Sequence, residues 1–122
     1  MGMERIRKAL GYSAAGFACA WRTEAAFREE ALAAVVLIPL ACFLPLPLLH
    51  KTLLVTSVLM VLVVELLNSS IENAVDRISL DHHELAKRAK DTGSAAVFLS
   101  LVVALIAWVV IVGGWLFDVR IG

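Results

Sequence analysis

Residues 52–76 read Thr52-Leu-Leu-Val-Thr-Ser-Val-Leu-Met-Val-Leu-Val-Val-Glu65-Leu-Leu-Asn68-Ser-Ser-Ile-Glu72-Asn-Ala-Val-Asp76. The first half is almost wholly apolar. The second half carries Glu65, Asn68, Glu72 and Asp76 at offsets of zero, three, seven and eleven. At about 100° per residue, these four lie within roughly 80° of one helix face, with Ser69 at its border. The pattern is that of a membrane-spanning helix that runs into water carrying a polar rail. Glu65 is its deepest member, and Asp76 lies about 16 Å further along the axis at helical rise.

The flanking sequence asks for the same solvent. Residues 92–117 are 26 in number and have no ionisable side chain. Residues 31–49 carry no charge in 19 positions, a length that nearly crosses a hydrocarbon core of about 30 Å. Pro45-Leu46-Pro47 then removes backbone donors and marks a turn. Of all 122 residues 61% are hydrophobic, against about 45–50% in an average soluble domain. A soluble chain this short has too little interior to hide that surface, so lipid is the expected solvent. One domain is the natural count.

Ahead of the spans, Met3, Ile6, Leu10, Ala14, Phe17 and Trp21 recur every three or four residues, with Arg5 and Lys8 elsewhere on the helix and Arg7 at the edge of the stripe. A basic polar face opposite an aromatic apolar face describes a helix lying in the membrane interface. A signal peptide is a poorer reading. Gly11, Tyr12, Ser13 and Gly16 interrupt the stretch where a secretory segment needs a dense apolar core.

Basic residues set the expected orientation. Arg5, Arg7, Lys8, Arg22 and Arg28 precede the spans, and Arg77, Lys87, Arg88 and Lys90 lie between the second and third. Lys51 and Arg120 fall on the other side, nine against two. The N-terminus and the second loop are therefore expected in the cytoplasm and the C-terminus across the membrane. Ten of eleven acidic residues, all but Asp118, also belong to the cytoplasmic side or the membrane next to it.

Glu65 sits between Val-Leu-Val-Val and Leu-Leu. A carboxylate in such surroundings is costly and marks a functional site. A buried acid also suits general-base work, which is most effective when the group is poised near the working pH. The plain alternative, a hydrogen bond between spans, leaves the three polar residues aligned below it unexplained. Two rail carboxylates with Glu24 on another segment can bind Mg²⁺, which takes carboxylate and water oxygens. Lys87, Arg88, Lys90 and Asp91, next to Gly93 and Ser94, can hold phosphate, although taken alone they also read as ordinary cytoplasmic charge. His82-His83-Glu84 is a poor zinc site, since adjacent histidines on a helix point about 100° apart. Cys19 and Cys42 form no CxxC pair and read as packing residues. Trp21, Trp108 and Trp115 read as interfacial anchors or packing. GxxxxGK[ST], GxGxxG and kinase catalytic-loop motifs are all missing. Three short spans enclose such a site poorly, which points to an oligomer.

The segments Glu65-Leu-Leu-Asn-Ser-Ser-Ile-Glu-Asn-Ala-Val-Asp-Arg-Ile78, Glu24-Ala-Ala-Phe-Arg-Glu-Glu30 and His83-Glu-Leu-Ala-Lys-Arg-Ala-Lys-Asp-Thr-Gly-Ser-Ala-Ala-Val97, with Gly11-Tyr12-Ser13 and Ala20-Trp21, resemble the bacterial integral-membrane diacylglycerol kinase family. The resemblance covers nearly the whole chain. It implies an all-α membrane protein with an N-terminal amphipathic surface helix over 3–22 and transmembrane helices at about 28–48, 51–78 and 88–117 within a single 1–122 domain. It implies a homotrimer in the bacterial inner membrane with active sites shared between subunits. The implied activity is transfer of the γ-phosphoryl group of MgATP to the primary hydroxyl of diacylglycerol, giving phosphatidic acid.

The same resemblance implies residue roles. Glu65 would be the catalytic base, and Glu24 and Glu72 would hold Mg²⁺. Arg5, Tyr12, Glu24, Asn68, Glu72, Asp76, Lys90 and Asp91 would line the ATP site, with Asp81, His82 and His83 nearby. Trp21, Arg28, Glu65 and Ser94 would face the lipid. The implied partners are ATP, the lipid and further copies of the chain, with no nucleic acid. Thr23, Glu29 and Asp81-His82-His83 depart from the family pattern at the rim of the site.

Three other readings remain. An undecaprenol kinase of the same superfamily would use these residues on a polyprenol, although Glu24–Glu30 looks more like the diacylglycerol branch. A small proton or cation transporter would make Glu65 a proton relay and have no need of Glu24 or the cytoplasmic end of the rail. A non-catalytic membrane scaffold would make changes at Glu65, Glu72 and Lys90 silent.

Overall fold

A computed structural model of one chain describes residues 2–117. Asp118, Arg120 and the C-terminus, which the charge pattern assigns to the far side, lie outside the described residues. Four helices follow in order: α1, Gly2–Thr23; α2, Ala25–Phe43; α3, Leu48–Ile78; and α4, Glu84–Leu116. α3 begins three residues before the expected 51 and ends at the expected 78, and α4 begins four residues before the expected 88 and ends one residue short of 117. α2 stops at Phe43, five residues short of the expected 48.

Glu24 alone joins α1 to α2. Its amide still bonds to Ala20 O at 2.9 Å, and its carbonyl already accepts from Arg28 N at 3.2 Å, so its extended backbone turns the chain without losing hydrogen bonds. Arg28 reaches back and donates Nη1 to Trp21 O at 2.7 Å and to Arg22 O at 3.2 Å. Those carbonyls at the end of α1 have no partner within the helix, and a cation there also suits the helix dipole. Phe17 and Phe27 meet across the joint with ring centroids 6.5 Å apart, a favourable tilted geometry. Within the chain α1 buries only Ala20. Its stripe of Met3, Ile6, Leu10, Phe17 and Trp21 is left facing outward.

α2 contains Pro39, which cannot donate to the carbonyl of Val35. At its far end Leu44 N bonds to Leu40 O at 3.1 Å. Lys51 Nζ, from the first turn of α3, donates to Cys42 O at 2.8 Å. Pro45 and Pro47 carry no amide hydrogen to bury in this turn.

α3 is the central helix and packs against both α2 and α4. Its buried residues are Leu54, Ser57, Val58, Val61, Glu65, Asn68 and Ser69, one stripe at helical spacing. At the end away from the rail, Ala41, Leu54 and Ile111 bring α2, α3 and α4 into one apolar cluster. The hydroxyls of Ser57 and Ser100 bond to carbonyls of their own helices, Leu54 O at 2.8 Å and Val97 O at 2.7 Å, so neither is left unsatisfied by burial.

α3 and α4 are long and apolar enough to cross a membrane. α2 is shorter and carries Arg28, Glu29 and Glu30 in its first two turns. Most of α4 faces away from the rest of the chain, exposing Phe98, Leu99, Leu105, Ile106, Val109 and Val110 among others. That surface needs lipid or another copy of the chain as its neighbour.

Candidate active site

The rail faces inward and emerges by degrees. Glu65 and Asn68 are 5% and 8% exposed, Glu72 is half-buried and Asp76 is exposed. The gradient follows from geometry. α4 packs on α3 with Gly93 set against Asn68, whereas Asp76 lies on the last turn before the chain turns through residues 79–83, outside either helix. Asn68 Nδ2 donates to Glu72 Oε1 at 2.9 Å, joining two neighbours on the rail.

Glu24 and Glu72 are close enough to Glu65 to act on it electrostatically, as is Glu30 of α2. None of these four acids pairs with a lysine or arginine among the described residues. Glu24 makes no capping bond with its side chain, although it stands at the N-terminus of α2, where the dipole favours negative charge. The Glu30 carboxyl is half-buried and its Oε2 has no hydrogen-bond partner. Sequence reading gave Glu30 no role. The available signals were its place at the end of the family-like Glu24–Glu30 segment and its position immediately before the charge-free residues 31–49.

Two open clefts flank the rail. The first, of about 440 Å³, lies between α1 and α3. Ser13, Gly16, Ala20 and Glu24 line one side, and Leu66, Ser69 and Asn73 the other. The second, of about 430 Å³, lies among the last turn of α3, the 79–83 linker and the first turns of α4. Asp76, Asp81, His82, His83, Lys87, Lys90 and Asp91 line it. The residues around this second cleft carry both signs of charge. Lys90 Nζ donates to Asp76 Oδ1 at 2.7 Å, and Lys87 Nζ to Asp91 Oδ2 at 2.7 Å. An ammonium has three donors, so each lysine keeps capacity for an incoming phosphate.

The fold thus brings Asp76, Asp81, His82, His83, Lys90 and Asp91 together. Asn68 and Glu72 lie deeper, and Glu24 lies in the other cleft. Arg5 and Tyr12 stand on exposed turns of α1 and line neither cleft. Trp21 and Ser94 are exposed, and Arg28 is engaged with the end of α1. His82 and His83 are not helical neighbours. His82 lies in the linker, and His83 caps α4 by accepting from Leu85 N through Nδ1 at 3.0 Å. The 100° argument against a shared metal therefore has no helix to act on. Among the described residues no three His, Cys, Asp or Glu side chains are grouped to hold a metal.

A hard divalent cation is a different case. Magnesium binds through one or two carboxylates and completes its shell with water and phosphate oxygens. Glu24 and Glu72 are carboxylates of that donor type, and neither is held in an ion pair among the described residues.

Residues 11–112 match the family described as prokaryotic diacylglycerol kinase. The match takes in the rail, the Glu24–Glu30 segment and Lys90–Ser94, and leaves out Arg5. The diacylglycerol kinase of Escherichia coli (strain K12) is 48% identical over 110 residues, 90% of each chain. That of Pseudomonas aeruginosa is 50% identical over 113 residues, 93% of this chain and 92% of its own. That of Haemophilus influenzae is 44% identical over 116 residues, 95% of each. With Glu24, Glu65, Glu72 and Lys90 all inside a match of this extent, the chain belongs to the prokaryotic diacylglycerol kinase family.

Proposed function

We propose that this chain transfers the γ-phosphoryl group of ATP to the primary hydroxyl of diacylglycerol, releasing ADP and phosphatidic acid, at the cytoplasmic face of a bacterial inner membrane. The observation that carries the reading is the graded rail of α3, buried at Glu65 and open at Asp76, in a chain whose relatives are diacylglycerol kinases. A lipid hydroxyl resides at the interface and ATP in the cytoplasm. A reaction between them needs polar groups that connect the two depths.

Glu65 accepts the proton of the lipid hydroxyl as its oxygen bonds to the γ-phosphorus. The bond from the γ-phosphorus to the β,γ-bridging oxygen breaks, and ADP leaves with that electron pair. Glu65 later returns its proton to water. Phosphoryl transfer depends mainly on alignment and on neutralising negative charge. Lys90 contributes a positive charge at the mouth of the rail, where Asp76 holds it. Glu24 and Glu72 hold Mg²⁺, which when bound neutralises charge on the β- and γ-phosphates. Asp81, His82, His83 and Asp91 border the nucleotide, while Trp21, Arg28 and Ser94 border the lipid. Arg5 and Tyr12, which lie outside both clefts of a single chain, would join the nucleotide site only where subunits of the trimer share it.

α2, α3 and α4 span the membrane in this reading and α1 lies on its cytoplasmic surface. The nine-to-two bias of basic residues supports that orientation. A homotrimer with shared sites accounts for the outward apolar face of α4 and for clefts that stay open in one chain.

The test is transfer of ³²P from [γ-³²P]ATP to a short-chain diacylglycerol in mixed micelles containing Mg²⁺, with wild type beside Glu65→Gln. Labelled phosphatidic acid from wild type alone is the expected result. Equal labelling by both proteins would remove Glu65 as the base. Preference for undecaprenol in direct competition would move the chain to the polyprenol branch. Folded wild type that labels neither lipid, but carries ions across liposomes, would replace the kinase by a transporter.

A further inference from the structure

Gly93 of α4 faces Asn68 of α3 with no room for a side chain. A Cβ added at Gly93 would fall on Asn68 Oδ1 and stand 3.3 Å from its Cγ. At Gly2, Gly11, Gly16 and Gly113 a Cβ would meet open space. Gly93 lies in the middle of a helix, where glycine costs about 1 kcal/mol relative to alanine. Its value there is space.

That space is occupied by a particular atom. Asn68 is buried, and its Oδ1 has no conventional hydrogen-bond partner. The oxygen lies where a Cα hydrogen of Gly93 points, a weak contact that recurs between close helices. The other end of the amide donates from Nδ2 to Glu72 Oε1 at 2.9 Å. The two ends are not interchangeable. With the amide reversed, its oxygen would face the acceptor-only carboxylate.

We infer that Gly93 is a positioning residue for divalent-metal binding. Its missing side chain seats the Asn68 amide, and the amide fixes the orientation of Glu72. The inference rests on the proposed kinase reading, in which Glu72 holds Mg²⁺, and adds a residue on a third helix turn that touches neither metal nor substrate. Groups that orient a metal ligand in this way change metal affinity or activity by about 10–100-fold when removed.

The experiment uses the full chain in mixed micelles as wild type, Gly93→Ala, Asn68→Ala and the double variant. Mn²⁺ binding is followed by electron paramagnetic resonance in the presence of a non-hydrolysable ATP analogue, and lipid phosphorylation is measured against Mg²⁺ concentration. Gly93→Ala is expected to weaken Mn²⁺ binding about 10–100-fold and to raise the half-saturating Mg²⁺ by a similar factor. Adding Gly93→Ala to Asn68→Ala is expected to change neither, because the atoms in collision are gone. Unchanged Mn²⁺ binding in Gly93→Ala, or an equal further loss in both backgrounds, would overturn the inference. Should Gly93→Ala fail to fold, the double variant is expected to fold, and its failure would also overturn it. An inactive wild type would remove the kinase reading, while the Mn²⁺ titration would still decide the role of Gly93.

Discussion

Lys90 Nζ of α4 meets Asp76 Oδ1 of α3 at 2.7 Å, 14 positions away in sequence. Both side chains are about two-fifths exposed, and a solvent-screened ion pair contributes little to stability. The pair therefore matters more for where it holds the ammonium than for holding the helices together. Lys90→Ala is expected to lower kcat by about 10²–10³-fold, the range found when one charge-stabilising donor is removed from a reacting centre. Its thermal unfolding in the same micelles should stay close to wild type. A large drop in melting temperature would make the pair structural.

If Glu65 is the base proposed above, its removal should act on the chemical step. Glu65→Gln keeps the shape and removes the proton acceptor, and a loss of about 10²–10⁴-fold in kcat is expected. Glu65→Asp should recover little, since the shorter side chain draws the carboxyl back along the rail. Rapid-quench measurement of the first turnover separates this loss from slow product release.

Chelation should abolish labelling of the lipid, and added Mg²⁺ should restore it. Glu24→Gln and Glu72→Gln should each raise the Mg²⁺ needed for half-maximal rate by 10-fold or more, roughly the cost of about 1.4 kcal/mol in metal binding. Titration of rate against free Mg²⁺ in each variant checks this. An unchanged requirement in both variants would remove them as metal ligands.

Glu30 and Glu29 offer a paired comparison of neighbours. Glu30 is half-buried and close enough to Glu65 to act on it, while Glu29 is exposed. Glu30→Gln is expected to lower kcat by about tenfold, or about 1.4 kcal/mol in the barrier. Glu29→Gln should be silent. Equal kcat values for the two variants would show that burial beside Glu65 gives Glu30 no part in the reaction.

Leu54 provides the opposite control. It is fully buried in the cluster with Ala41 and Ile111, remote from the rail. Leu54→Ala is expected to reduce stability by about 2–5 kcal/mol, with kcat nearly unchanged in the protein that remains folded. Thermal unfolding and kcat per folded molecule distinguish the two effects.

The rail on α3 was legible because one helix face depends only on spacing within that helix. The burial of Glu65 and Asn68 followed from the same stripe. Features made between helices were not legible. Glu30 lies 35 positions before Glu65 in sequence, and no periodicity connects them. The collision that excludes a side chain at Gly93 depends on how closely α4 approaches Asn68. Arg28 reads as a lipid-facing charge until its reach to Trp21 O and Arg22 O is seen. The linker at 79–83 contains neither glycine nor proline, so nothing local announces that His82 lies outside a helix or that His83 begins one.

The single-residue joint at Glu24 also has a consequence for how genes of this kind can change. A codon added beside it would rotate α1 relative to α2 by about 100° and shift it by about 1.5 Å. The Phe17–Phe27 contact, the reach of Arg28 and the aim of the Glu24 carboxylate would all be lost at once. The irregular stretch at 79–83 has no such register to keep. An insertion at Ser79 or Leu80, ahead of the cleft-lining Asp81, His82 and His83, should accordingly disturb the fold less than one at the joint, which can change by substitution alone.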